Sequence, residues 1–175
     1  GSLGEILKKD SSIRVYGTDI SPQAVEEART RLDGAWILDI EKGVPSIEQS
    51  APQQFDAVIF SEVLEHLFSP EKALRSIVPL LSTDGNIVIT VPNILFWKNR
   101  IRIFLGHFEY EERGLMDRGH IHFFSWKSLR DMVHSEGFVI DSISHIIPTR
   151  GTKILGNIFP GLFAHQFAVR LRKKT

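Results

Sequence analysis

Short apolar runs alternate with stretches of helical period along most of the chain. Leu3 to Lys9 reads as a short helix, and Arg14–Asp19 (RVYGTD) as a strand. Ser21-Pro22 then supplies an N-cap followed by proline in the first turn. Ala24, Val25, Ala28 and Leu32 share one face of the helix behind it. Ala35–Leu38 is a second strand, closed by Asp39, and Pro45–Gln54 reads as loop with one helical turn. Phe55–Phe60 is β-branched and aromatic, the composition of a strand covered on both faces. It runs into a polar loop and a helical turn carrying Glu62, Glu65 and His66. Ser69-Pro70 opens a capped helix to about Leu81, and Asp84-Gly85 turns the chain into the strand Asn86–Val91, stopped by Pro92.

From Asn93 to Gly119 the alternation breaks into aromatic and basic residues, including Trp97, Lys98, Arg100, Arg102, Phe104 and Tyr110. An insertion after the carboxyl end of a strand is placed to act as a lid or substrate loop. These residues suit an anionic or ring-bearing acceptor; they equally suit an amphipathic helix that closes a pocket or touches a membrane surface. Ser125 caps a helix to about Glu136, Gly137 ends it, and Phe138–Ile146 is a strand. Residues 148–162 are rich in Gly and Pro, and Phe163–Arg172 alternates as a last strand, antiparallel and near the sheet edge. The pattern predicts an α/β fold: one domain over residues 1–175, with a doubly wound, mostly parallel sheet and an antiparallel last strand.

Composition narrows the function. The chain has 175 residues, 42% hydrophobic and 24% charged, with 21 Lys+Arg against 21 Asp+Glu. The charge balance argues against broad electrostatic binding of nucleic acid. With no cysteine, there is no disulfide, thiolate metal site or cysteine nucleophile, which fits a cytoplasmic protein. No apolar run approaches the roughly 18 residues of a membrane helix.

Three strand ends carry acids: Asp19, Asp39 and, just past the third, Glu62. Ligands of open α/β sheets sit at the carboxyl ends of strands. A carboxylate there can accept both ribose hydroxyls, a second acid can accept an adenine amine, and Ile20 and Ile40 can sandwich the base. The local alternative is that these acids start turns or cap helices.

The segments Val15–Ser21 (VYGTDIS), Leu38-Asp39-Ile40, Phe55–His66 (FDAVIFSEVLEH) and Leu80–Pro92 (LLSTDGNIVITVP) resemble the class I S-adenosylmethionine-dependent methyltransferases. The later His120–Leu129 and Glu136–Phe138 resemble that family's bacterial small-molecule branch. The resemblance implies S-adenosylmethionine as cofactor, with Asp19 on the ribose, Ile20 on the adenine and Asp39 on its amine. Ile40, Ser61 and Glu62 become further cofactor wall. The opening Gly1-Ser2-Leu3-Gly4 resembles the tail of the family's glycine-rich loop, so Gly1 is expected at the cofactor and the chain is expected to lack the first strand. Such an amino-terminally truncated domain is expected to bind cofactor poorly or not at all.

For the chemistry, methyl transfer needs an acceptor in line with a sulfonium methyl, plus a base where the acceptor is a hydroxyl. His66, His120 and His122 are the candidates, each alternatively a structural hydrogen-bonding group. On a helical turn Glu62, Glu65 and His66 share a face, and with His122 or His120 they form a hard-cation set suited to magnesium. This pattern resembles metal-assisted O-methyltransferases of ubiquinone pathways and of small-RNA 2′-O-methylation. The alternative has Glu62 lining the cofactor pocket while Glu65 and His66 pair locally. The expected activity is methyl transfer to a hydroxyl oxygen of a small-molecule acceptor. Metal-assisted RNA 2′-O-methylation and a non-catalytic fragment without cofactor are the competing functions.

Overall fold

The computed structural model describes residues 2–44, 52–112, 114–148 and 153–174. Gly1 and most of the expected loop at Pro45–Gln54 lie outside them. The chain divides into two compact units, Gly1–Gln53 and Gln54–Thr175.

In the first unit, α1 (Ser2–Leu7) precedes β1 (Tyr16–Asp19), α2 (Pro22–Arg29) and β2 (Gly34–Ile37). The strands pair in parallel, Tyr16 opposite Gly34 and Asp19 opposite Ile37. Ser21 Oγ accepts the Ala24 amide at 3.4 Å, the expected cap. Among its described residues Val25 and Ala35 are the buried apolar side chains. Asp33 ties the loops, accepting Lys8 Nζ at 2.7 Å and the Val15 amide at 2.7 Å.

The second unit holds β3 (Phe55–Ser61), α3 (Pro70–Ser76), β4 (Leu81–Pro92), α4 (Trp97–Phe104), α5 (Trp126–Ser135), β5 (Phe138–Ile146), α6 (Lys153–Ile158), α7 (Pro160–Phe163) and β6 (Gln166–Lys173). Its sheet runs in the order β3-β4-β6-β5, with β3 and β4 parallel and β6 antiparallel to both neighbours. Ile87, Ile89 and Val91 of β4 stand opposite Leu171, Val169 and Phe167 of β6, and all are buried, as are Leu129 and Val133 of α5. Ser125 and Ser128 close a capping box at the start of α5, and Gly137, at φ 80°, turns the chain out of its end.

Several expectations change. β6 lies between β4 and β5 rather than at the edge, because its backbone pairs on both sides, Val169 opposite Ile89 of β4 and Ile143 of β5. β3 is an edge strand of this sheet, and of its residues only Phe60 is buried. Pro79 breaks the expected helix from Ser69, so α3 ends at Ser76 and a 3₁₀ turn, Val78–Leu80, follows. Asp84-Gly85 is no turn: β4 runs through it, and the register with β3 shifts from Phe55–Leu81 to Ala57–Asn86. In the insertion, α4 buries Asn99 and leaves Phe104 89% exposed. Arg100 bonds the carbonyls of Leu95 and Gly161, and Arg102 pairs with Glu111. Among the described residues no helix is long and apolar enough to cross a membrane.

Candidate active site

In the first unit the two predicted nucleotide acids both serve local turns. Asp19 Oδ1 accepts the Ser21 amide at 2.8 Å, which leaves its second oxygen for a ligand. Asp39 caps the 3₁₀ turn Ile40–Lys42 by accepting the Glu41 amide at 3.1 Å, and Lys42 Nζ lies 3.1 Å from its other oxygen. Lys42 beside it holds the Asp39 carboxyl below the usual range. Ile20 is 68% exposed, an apolar side chain left open beside Asp19. Ile40 is half-buried.

In the second unit Ser61 and Glu62 stand at the carboxyl end of β3, where the alternation predicts a ligand. Glu62 adopts φ 56°, the left-handed region. Its amide donates to Thr90 O and Thr90 Oγ1, each at 3.2 Å, and its Oε1 accepts from Gln166 Nε2. The next turn, Leu64–His66, is 3₁₀. Glu62 is therefore outside the helical turn, and the shared helical face expected for Glu62, Glu65 and His66 does not form.

A different set converges. Glu65, His66 and His120 each present a ligand atom, all within 4.8 Å of one another. The Glu65 carbonyl accepts the Ile121 and His122 amides at 2.9 and 3.0 Å, which pins the end of the insertion against the 3₁₀ turn. The His66 and His120 rings meet edge-on at 4.9 Å. His66 Nδ1 lies 2.8 Å from Gly119 O and His120 Nδ1 3.4 Å from Leu115 O. A carbonyl only accepts, so each ring donates from Nδ1 and presents Nε2. His122 is the reverse: its Nε2 faces Phe68 O at 3.3 Å, and it lies outside the cluster, as Glu62 does.

Glu65 is 1% exposed, and neither carboxylate oxygen has a hydrogen-bond partner among the described residues. Burial, with the Glu62 charge as a smaller contribution, pushes its pKa up to about 7. An unpartnered buried carboxylate is costly unless protonated or paired with a cation. The donor set, one carboxylate and two imidazole nitrogens, suits a divalent cation. Sequence reasoning missed Gln166 and Thr90, the groups that hold Glu62; nothing in their residue types or spacing signals that role.

A family described as a methyltransferase domain matches residues 1–143, a span that runs through both units. The chain is 28% identical over 96 residues to the ubiquinone biosynthesis O-methyltransferase of Neisseria meningitidis serogroup A, which takes in 53% of this chain and 40% of that protein. It is 30% identical over 95 residues to the enzyme of the same name from Yersinia enterocolitica, covering 53% and 39%. The matches thus span less than half the length of these curated relatives. Among solved structures, a SAM-dependent methyltransferase from Archaeoglobus fulgidus superposes with a TM-score of 0.66 at 19% identity, over 96% of this chain and 80% of that one. The magnesium protoporphyrin IX methyltransferase of Synechocystis, solved with SAH bound, gives 0.65 at 17% identity over 100% and 70%. The strand ends carrying Asp19, Asp39 and Glu62 thus lie on a fold shared with SAM-dependent methyltransferases, and the chain belongs to the methyltransferase-domain family.

Proposed function

We propose that this chain is a single S-adenosylmethionine-dependent methyltransferase domain that methylates a hydroxyl oxygen of a small-molecule acceptor. The observation that carries the acceptor chemistry is the cluster of Glu65, His66 and His120 just beyond the end of β3. The likeness to ubiquinone biosynthesis O-methyltransferases supports an oxygen acceptor.

In this reading the free oxygen of Asp19 is assigned a ribose hydroxyl, Asp39 the adenine amine, and Ile20 and Ile40 the base. Within the second unit Ser61 and Glu62 are assigned the cationic methionine group, because a carboxylate is complementary to sulfonium and ammonium charges. Transfer forms the oxygen–methyl bond as the sulfur–methyl bond breaks, and the acceptor proton leaves to a base. His66 and His120, each presenting Nε2, are the groups able to receive it.

The cluster also fits a divalent cation, manganese better than the magnesium expected from the sequence, because Glu65 keeps two unpartnered oxygens beside two presented imidazole nitrogens. With an ion bound, Glu65, His66 and His120 would hold it in place of the base role of the two imidazoles, and a divalent cation there would supply Lewis acidity that lowers the pKa of a hydroxyl.

The test is calorimetric titration of S-adenosylhomocysteine into the purified chain and into Asp19→Ala. Methyl transfer from S-adenosylmethionine to simple phenols and catechols follows, with and without magnesium. Saturable binding weakened by Asp19→Ala, with transfer to oxygen, supports the reading. No binding by the folded chain overturns it, and binding with transfer only to nitrogen or carbon acceptors overturns the oxygen assignment.

A further inference from the structure

We infer that Gln166 is a positioning residue, whose side-chain amide holds the Glu62 carboxylate in place at the end of β3. Glu62 is the one non-glycine residue at positive φ among the described residues. A left-handed backbone is strained for an ordinary residue, and such residues persist where their surroundings over-determine them. Here two neighbouring strands do so. From β4, Thr90 takes the Glu62 amide with both its carbonyl and its hydroxyl. From the first position of β6, Gln166 Nε2 donates to Glu62 Oε1. Thr90 pairs in register with Ser61 on one side and Ala168 on the other, and Gln166 pairs with Pro92 and Ile146. Both holding groups therefore sit on a rigid sheet.

A neutral amide is the donor suited to this task. A lysine or arginine would neutralise Glu62, whereas glutamine leaves the negative charge intact. It occupies Oε1 and so directs Oε2 toward a ligand. Glu62 directly follows β3, and its carboxylate is bonded to the first residue of β6. Without the amide, the carboxylate of an exposed strand end would regain its rotamers, and a ligand would have to order it on binding.

The inference rests on the proposed role of Glu62 toward the cationic end of S-adenosylmethionine. Its test combines steady-state kinetics with S-adenosylhomocysteine calorimetry on Glu62→Gln, Gln166→Ala, Gln166→Met and the double variant Glu62→Gln/Gln166→Ala. Gln166→Met keeps the length of the side chain and removes only its donor. The expected result is a rise of about tenfold in the KM for S-adenosylmethionine in Gln166→Ala and Gln166→Met, with a matching loss of affinity. Both remain folded and keep kcat while KM rises, and the double variant is no worse than Glu62→Gln alone. If Glu62→Gln weakens binding while both Gln166 variants bind as wild type, the inference falls and the role of Glu62 stands. Additive losses in the double variant overturn it likewise. If Glu62→Gln itself binds as wild type, the assignment of Glu62 falls, and the inference with it, while sensitivity to Asp19→Ala preserves the methyltransferase reading.

Discussion

The amide of His122 donates to the carbonyl of Glu65 at 3.0 Å, and this one bond explains which histidine joins the cluster. It shares that carbonyl with the Ile121 amide, so the returning end of the insertion is clamped directly over the turn after β3. His120, just before the clamp, is carried inward to 7% exposure beside His66. His122 points its ring nitrogen to Phe68 O instead.

Glu65→Gln is predicted to stabilise the chain at alkaline pH. Burial raises the Glu65 pKa from 4.5 to about 7, so the folded state binds a proton that the unfolded state has released between those values. Stability is therefore lost as pH rises from about 4.5 to 7 and stays lost above it. At pH 8, without added cation, the glutamine variant should be more stable by on the order of 2 kcal/mol, and at pH 4 the two should match. Urea melts at the two pH values check this. The same variant should lose manganese binding if the cluster holds a cation.

Gly119→Ala is predicted to disturb His66 more than the fold. A Cβ there would lie 3.2 Å from His66 Nδ1, 3.3 Å from its Cε1 and 3.1 Å from Asp117 Oδ1. Those contacts are side chains, so the imidazole rotates away and surrenders its bond to Gly119 O. Stability should fall by about 1 kcal/mol. If the cluster holds a cation as proposed, manganese affinity, followed by the electron-spin signal of the free ion, should drop about tenfold because the ligand orientation is lost.

Much of this architecture was legible in the chain. The caps at Ser21 and Ser125, the stop at Gly137 and the alternation in β4 all carry local signals that tertiary contacts did not override. The acids were legible at the ends of their own strands, Asp19 closing Tyr16–Asp19, Asp39 beyond Gly34–Ile37 and Glu62 after Phe55–Ser61. What escaped is set by long-range geometry. Glu62 carries no glycine-like sign of a left-handed backbone, because its conformation is imposed by Thr90 and Gln166 from other strands. The choice of His120 over His122 depends on the clamp at Glu65, which no periodicity encodes. The interior place of β6 follows from pairing with β4 and β5 across long stretches of chain.

Gly85→Ala is predicted to destabilise the fold. A Cβ at Gly85 would fall 3.0 Å from both the amide nitrogen and the carbonyl oxygen of Ser82 and 3.1 Å from the carbonyl of Phe55. All three are backbone atoms at the register shift between β3 and β4, so no rotamer relieves the clash. The expected cost is about 2 kcal/mol, seen as a lower midpoint in urea with an unchanged slope. An unaltered midpoint would show that the shift can relax.

His145 supplies an acid-side counterpart to Glu65. Its ring sits edge-on to Trp126 at 5.8 Å and to Phe167 at 5.7 Å, and its Nδ1 has no partner among the described residues. Burial against these uncharged rings from α5 and β6 holds its pKa below the ordinary 6.5. The folded state therefore favours the neutral ring, so the contribution is complete above pH 6.5 and is lost as pH falls through that value toward the lower folded pKa. His145→Phe removes that loss while keeping an aromatic contact. Between pH 7.5 and pH 5.5 the melting temperature of the wild type should fall relative to the variant by roughly 1–2 °C, a small shift because the ring is only partly buried and solvent screens its charge. Taking the difference between wild type and variant cancels the opposite trend from Glu65. A difference that stays constant across this range would mean that the imidazole finds a partner for Nδ1 in solution and titrates as it does in the unfolded chain.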